Sequence, residues 1–430
     1  MTSINVHILD LPDEILLTIF NKVSNIDLLY SLMGINEKLD RITSDSMFTK
    51  DVDLTTVSSN GTNDSKLDIV VDRFCTYIFP RIHNNVESLG IQASIFHRIL
   101  HADYYPNLHK LTLLNAEMDM ASHIFNEISI IEQIIDDTLL KLKCFSFYVN
   151  RSTLYFDYEV APLLRRMSNL EKLTLSLSVR RRNSFIDGIY LTDEICSSIP
   201  HLHTFIFDIV SDDTRFYAHP KPSSNDIRQT FIERGYHADC YIDYYTDVIT
   251  DRLGRCHVYS LPFTTEHIQY ISSRFPGGVF RNVRVLRVVD TKRSFGKTFF
   301  AKISRSFPLL TRLTVSNAIE QVEKPSWRLK KFNETSSIIT YPHLAELVLS
   351  DVHIDYVEQF LFSFNTCLPC LNSLHVQYEH LTTITENFTR DATRMNCAKV
   401  KRIVFNRVIH LGQSRNFYRY FPSLKKYCPM

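Results

Sequence analysis

One phrase recurs from about residue 86 to the end of this chain: an apolar residue, two variable residues, an apolar residue, one variable residue and a further apolar residue, often introduced by proline. The clearest copies are Pro106-Asn107-Leu108-His109-Lys110-Leu111-Thr112-Leu113 and Pro342-His343-Leu344-Ala345-Glu346-Leu347-Val348-Leu349. Others start at Asn169-Leu170, Pro200-His201-Leu202, Pro308-Leu309-Leu310 and Pro369-Cys370-Leu371, with looser copies at Val86, Leu142, Val258, Val283 and Val400. Most anchors fall about 22 to 34 residues apart, room for one short strand and one helix or loop.

That period is the signature of leucine-rich repeats. Residues alternate across a short strand, so Leu111 and Leu113 point into a core while Lys110 and Thr112 point to the opposite, concave side. A single unit cannot bury its apolar face, so neighbours stack and share a core. The expected fold is therefore α/β: over residues 81–430, an irregular leucine-rich-repeat solenoid with short parallel strands on the concave side and helices and loops on the convex side. Two convex segments are legible, Glu117 to Leu140 with Ile124, Ile128, Ile131 and Ile135 at helical spacing, and Asp355 to Phe364. The asparagine usual after the last apolar position is mostly missing, which matches long, irregular repeats.

The rhythm breaks over an insertion at about residues 209–253. Ser211 to Asp226 reads as a surface loop, Asn225 as the cap of a helix from Ile227 to Arg234 closed by Gly235, and Tyr236 to Tyr245 carries four tyrosines beside Asp239 and Asp243.

The N-terminus is of another kind. In Leu9-Asp10-Leu11-Pro12-Asp13-Glu14-Ile15-Leu16-Leu17-Thr18-Ile19-Phe20, Pro12 suits a first helical turn and the acidic residues complement the positive end of the helix dipole. Ile15, Leu16, Ile19, Phe20 and Val23 follow at helical spacing, and Leu17 widens the stripe beyond one face. Asp27 is expected to cap a second helix through Leu28, Leu29, Leu32 and Met33, and Asn36 to Ile42 to form a third. Residues 1–50 then make a three-helix unit, with 51–80 a linker or first cap helix.

This stretch resembles an F-box, in Leu11-Pro12-x-Glu14-Ile15-Leu16, Ile19-Phe20 and Asp27-Leu28-Leu29. Where that family usually has an aromatic residue, often Trp, this chain has Leu39, and Ser46-Met47-Phe48 stands where a hydrophobic-Trp ending is usual. Segments such as Asn282-Val283-Arg284-Val285-Leu286, Gly254 to Phe263 and Asp355 to Leu361 look like a large, expanded invertebrate group of F-box proteins with leucine-rich repeats. The resemblance implies the substrate-recognition subunit of an SCF-type ubiquitin ligase. Leu11, Pro12, Glu14, Ile15, Leu16, Ile19, Phe20 and Leu28 would hold a Skp-family adaptor and, through it, a cullin. The repeats would hold a protein target, with Lys110, Thr112, Lys172, Thr174, Thr204, Arg312, Thr314, Glu346, Ser373, His375, Arg402 and Asn406 as candidate reading residues.

Composition removes other classes. A net charge of +1 and a pI of 7.6 give no whole-molecule field toward nucleic acid or anionic membrane. Met1 to Asn5 lacks the basic and apolar regions of a secretory signal. The uncharged run Gln359 to Leu374 contains Asn365, Thr366, Pro369 and Asn372 and reads as a buried repeat rather than a membrane span. Nine dispersed cysteines suit a reducing compartment, so the expected location is the cytoplasm or the nucleus.

No catalytic constellation is legible, and no cofactor or metal is expected. Cys367-Leu368-Pro369-Cys370, with His375 and His380, has no second Cys pair and reads as core thiols. Gly296-Lys297-Thr298 ends like a phosphate loop but has Thr291 where the first glycine belongs. Arg180-Arg181-Arg182 and Trp327-Arg328-Leu329-Lys330-Lys331 read as solvated loops, the former also suiting a phosphorylated partner. The competing reading is a ligase-independent repeat scaffold with a helical N-terminal cap. It places Leu16 and Phe20 against residues near Val86 to Ile91, whereas the receptor reading leaves them open, as an exposed apolar patch on the first helix.

Overall fold

The computed structural model describes residues 8–56, 64–114, 141–216, 221–246, 253–322, 338–405 and 415–424. The fold is mixed α/β with parallel sheets, and the chain divides into two compact units, Met1–Arg215 with Asn225–Tyr236 and Phe216–Ser224 with His237–Met430.

The first unit opens with four short helices, α1 (Asp13–Phe20), α2 (Asn25–Leu32), α3 (Glu37–Thr43) and α4 (Ser46–Thr49). The cap of α2 differs from expectation. Ser24, three residues before Asp27, is the N-cap: its Oγ accepts from Asp27 N at 3.1 Å and donates to Asp27 Oδ2 at 2.7 Å, a reciprocal lock on the first turn. Asn36 caps α3 as expected, accepting from Leu39 N.

Six strands follow in chain order, each parallel to the next: β1 (Asp51–Asp53), β2 (Ser88–Gln92), β3 (Lys110–Leu114), β4 (Cys144–Thr153), β5 (Lys172–Arg180) and β6 (Thr204–Arg215). Their apolar positions align, with Val52, Leu89, Leu111, Phe145, Leu173 and Phe205 in one register row. The anchors Val86, Leu108, Leu142 and Leu170, three residues ahead of each aligned position, are buried as well.

A backbone pattern repeats with the strands. Lys50 O accepts from the N–H groups of Glu87 and Ser88, Glu87 O from His109 and Lys110, His109 O from Lys143 and Cys144, Lys143 O from Glu171 and Lys172, and Glu171 O from His203 and Thr204. The turn before each strand is thus pinned to the turn before its neighbour, so these backbone groups keep partners where the chain enters the sheet.

The second unit repeats this plan. Strands β9 (His267–Ile271), β10 (Val285–Val289), β11 (Arg312–Asn317), β13 (Glu346–Val352), β15 (Ser373–Val376) and β16 (Arg402–Phe405) form one parallel sheet, and the short β12 (Ile339–Thr340) and β14 (Thr366–Cys367) pair beside it. Ile268, Leu286, Leu313, Leu347, Leu374 and Ile403 share a row. Helix Ile354–Leu361, capped by His353, covers the expected amphipathic run from Asp355, and helix Lys297–Ser306 begins at Gly296, so the Gly-Lys-Thr triplet starts an ordinary amphipathic helix.

The insertion is more regular than its composition suggests. Its expected loop from Ser211 gives way to strand, because β6 continues to Arg215, and helix Ser224–Ile232 follows, ending ahead of Gly235 at φ +78. The tyrosine segment is β7 (Ala238–Tyr245), antiparallel to β8 (Leu253–Ser260), so Val258, read as a repeat anchor, belongs to a hairpin instead. The expected helix Glu117 to Leu140, the run Trp327 to Lys331 and Asn406 lie outside the described residues.

Candidate functional site

The N-terminal helices divide their apolar residues between two environments. Leu16 and Phe20 join Leu28, Leu39, Ile42 and Phe48 in a small core of their own, with Leu9, Leu11, Leu17 and Leu32 packed around it. Leu16, Phe20 and Leu28 therefore build the helical unit, and their burial leaves them no surface for a partner. Leu39 and Phe48 fill this same core. The surface belongs to Pro12, Glu14, Ile15 and Ile19, all exposed, with Ile15 47% and Ile19 41% accessible and Val23 at 43% one turn further on. Ile15 and Ile19, four residues apart, share one side of α1, and Val23 is exposed in the bend that follows the helix.

The segment leading into α1 is held by Lys38, which sequence reading missed. Its Nζ donates to Leu9 O at 2.9 Å and Leu11 O at 2.8 Å and lies 3.6 Å from Asp13, which also pairs with Arg41. Arg73, at the end of helix Asp64–Arg73, ties that helix back to the N-terminal helices. Its Nε donates to Tyr30 O at 3.0 Å and Nη2 to Met33 O at 2.7 Å, satisfying carbonyls at the end of α2.

The candidate reading residues other than Asn406 lie on the sheet faces opposite the cores. In the first unit Lys110 and Lys172 are exposed, Thr112 and Thr204 half-buried, and Thr174 buried, which leaves its side chain little to read with. In the second unit one register row runs His267, Val285, Arg312, Glu346, Ser373, Arg402, and the next Arg287, Thr314, Val348, His375, Val404. Ser373 is buried; Arg312, Thr314, His375 and Arg402 are partly exposed.

Glu346 is the centre of this face. Its carboxylate lies 3.5 Å from Arg312 Nε and 3.1 Å from His375 Nε2. Burial alone would raise its pKa, but the close contact with His375 and the charges of Arg312 and Arg402 outweigh it and hold the carboxyl below the usual glutamate value. His267, at the end of the row, is pushed down by burial. Sequence reading missed His267 and Arg287. The alternation from the loose anchor Val283 was a signal that could have placed Arg287 on this face.

Other sequence features resolve into structure. Arg180 pairs with Asp213, and Arg182 pairs with Asp157 at 3.0 Å while lying over the Tyr190 ring, so the arginine run is largely engaged within the chain. In the hairpin, Asp243 accepts from Arg293 at 3.1 and 3.2 Å, and Tyr241 lies 3.0 Å from His257 Nδ1. Asp290, fully buried, accepts from Ser273, Lys292 and Arg293. These acids and tyrosines brace the hairpin on neighbouring loops. Cys367 is half-buried and Cys370 exposed rather than a core thiol, because it stands in the turn ahead of β15. Among the described residues no group of three or more His, Cys, Asp or Glu could hold a metal, and no helix is long and apolar enough to cross a membrane.

Neither a scan against protein-family models nor a search of curated proteins returns a match for this chain.

Proposed function

We propose that this chain is the substrate-recognition subunit of an SCF-type ubiquitin ligase, an F-box followed by a leucine-rich-repeat solenoid. The observation that carries the reading is the division of α1: one side builds a private core with the next three helices, and the other presents Ile15 and Ile19 to solvent beside exposed Pro12 and Glu14, with Val23 exposed in the bend after the helix. The cap reading put Leu16 and Phe20 against residues near Val86 to Ile91 and the receptor reading left them open; they are buried instead among Leu28, Leu39, Ile42 and Phe48.

The solenoid reading is supported by parallel strands in chain order, apolar rows in register, and the turn-to-turn hydrogen bonds that recur in both units. In this reading the chain supplies no chemistry. It raises the local concentration of a bound target near the loaded conjugating enzyme, and transfer follows from proximity.

The test is coexpression of the full chain with a Skp-family adaptor. Stoichiometric copurification is expected; a folded chain that leaves the adaptor behind returns the helices to a cap and the protein to a scaffold.

A further inference from the structure

On this receptor reading, we propose that the open face of the first unit's sheet takes a polyproline-II segment of the target protein, with one basic and two acidic side chains set three residues apart. The strand alternation that sends Val52, Leu89, Leu111, Phe145 and Leu173 into the core puts the preceding row on the other side: Asp51, Ser88, Lys110, Cys144, Lys172 and Thr204. The charged members of that row are exposed and the neutral ones half-buried. The charges stand on every second strand, Asp51 on β1, Lys110 on β3 and Lys172 on β5.

The turns just ahead of these strands are charged as well, but neutralised within the chain. Lys50 lies 2.9 Å from Glu87, and Lys143 lies 2.9 Å from Glu171. Among the described residues, Asp51, Lys110 and Lys172 have no ion-pair partner, so their charges are open to a second molecule. The middle of the next row, Gly90, Thr112, Ser146 and Thr174, has short side chains and sets no bulky obstacle beside the lysines.

Spacing selects the conformation of the occupant. Two strand spacings are about 9.4–9.8 Å. A polyproline-II helix rises about 3.1 Å per residue with three residues per turn, so side chains at i and i+3 point the same way about 9.3 Å apart. Over both intervals the match holds to within about 1 Å. A β-extended segment covers a similar distance in three residues but turns its i+3 side chain to the opposite face. An α-helix returns to the same face near i+7, about 10.5 Å on, and overshoots by about 2 Å across the row. Complementarity then sets the order: a basic side chain for Asp51, and acidic ones for Lys110 and Lys172. The polyproline-II backbone needs no hydrogen bonds from the sheet and loses little freedom on docking.

The experiment measures fluorescence anisotropy of two labelled peptides against the purified full chain, Lys-Pro-Pro-Asp-Pro-Pro-Asp and its reverse, since a segment can cross the strands in either direction. Comparison peptides carry the same charges at every second residue, the same charges seven residues apart on a helix, or glutamine in place of each charge. Expected is binding of one of the two orders that weakens with added salt and falls about fivefold or more in Lys110→Glu and in Lys172→Glu. It should be unchanged in Arg281→Glu, an exposed arginine of the second unit. Asp51→Lys should shift preference to a peptide with aspartate at all three charged positions. No binding of either order by the folded chain, equal binding by the lysine variants, an unshifted preference in Asp51→Lys, or binding of a comparison peptide as tight as that of the better order overturns the proposal. Circular dichroism establishes that each variant is folded. Adaptor copurification from the same preparations reads the ligase assignment separately: adaptor binding without peptide binding sinks this surface alone, and peptide binding without adaptor binding sinks the receptor reading alone.

Discussion

Ile15 and Leu16 are neighbours in one helix and meet different surroundings, Ile15 47% accessible and Leu16 fully buried. Adjacent helical residues differ by about 100° in direction, so one turn can serve a core and a surface together. Leu16 holds α1 to Leu28, Leu39, Ile42 and Phe48, and Ile15 is left for a partner. Substitutions on the two sides should separate: on the Leu16 side they unfold the helical unit, and on the Ile15 side they spare it.

Lys38 fixes the approach to that helix through two backbone carbonyls. Lys38→Met keeps the aliphatic stem and removes the donors, so the segment around Leu9 and Leu11 loses its anchor. Adaptor affinity is expected to drop about 3- to 10-fold with little change in melting temperature, consistent with a charged hydrogen bond worth about 1.5–3 kcal/mol partly replaced by water. Calorimetric titration with the adaptor checks it; an unchanged affinity contradicts the positioning role.

Gly188 lies where the start of helix Gly188–Glu194 meets helix Ser224–Ile232. Its N–H donates to Thr230 Oγ1 at 2.8 Å, and a Cβ there would collide with the carbonyl oxygen of Thr230. That obstacle is backbone and cannot swing aside. Gly188→Ala should cost about 1–3 kcal/mol, read as a lower urea midpoint with unchanged slope, while Gly235→Ala, with open space around its Cβ, loses less and only through its positive φ.

Asn396 is buried and its amide serves four backbone groups, donating to Phe360 O, Leu361 O and Thr366 O and accepting from Leu368 N. Asn396→Ala leaves these groups without their partner. The expected loss is about 2–4 kcal/mol in urea unfolding, since each orphaned buried group costs about 1–3 kcal/mol and relaxation recovers part of it. A loss below about 0.5 kcal/mol, the range of an ordinary surface substitution, would be at odds with this bracing role.

His267 and His380 both have pKa values lowered chiefly by burial, His380 also by His353. A depressed folded value means that the unfolded chain binds more protons just below the ordinary histidine value of about 6.5. Their contribution is complete above that pH and is lost as pH falls through the folded values. Melting temperature should therefore decline below about pH 6.5, and His267→Gln with His380→Gln should flatten that decline; identical slopes would contradict it.

Strand positions were legible because leucine and valine alternate with polar residues beside a recurring anchor, and that pattern fixes both location and facing. The N-terminal helices were legible for the same reason, at another period. What the pattern could not decide was which apolar residues of α1 go inside: Ile15 and Leu16 look equivalent until the positions of Leu39 and Phe48 are known. Lys38 escaped notice because its partners are backbone carbonyls, which carry no sequence signature. The hairpin β7–β8 was not legible, with Val258 taken for a repeat anchor, since its polar residues are buried in pairs, Asp243 with Arg293 and Tyr241 with His257, rather than solvated.

The most direct measurement is the dissociation constant of the purified full chain for a Skp-family adaptor, wild type against Ile15→Asp with Ile19→Asp. Both positions are exposed in the free chain, so melting temperatures should agree within a few degrees, while two buried carboxylates in the complex should weaken binding at least a hundredfold. Adaptor binding equal in the two proteins, or absent from a folded wild type, contradicts the account.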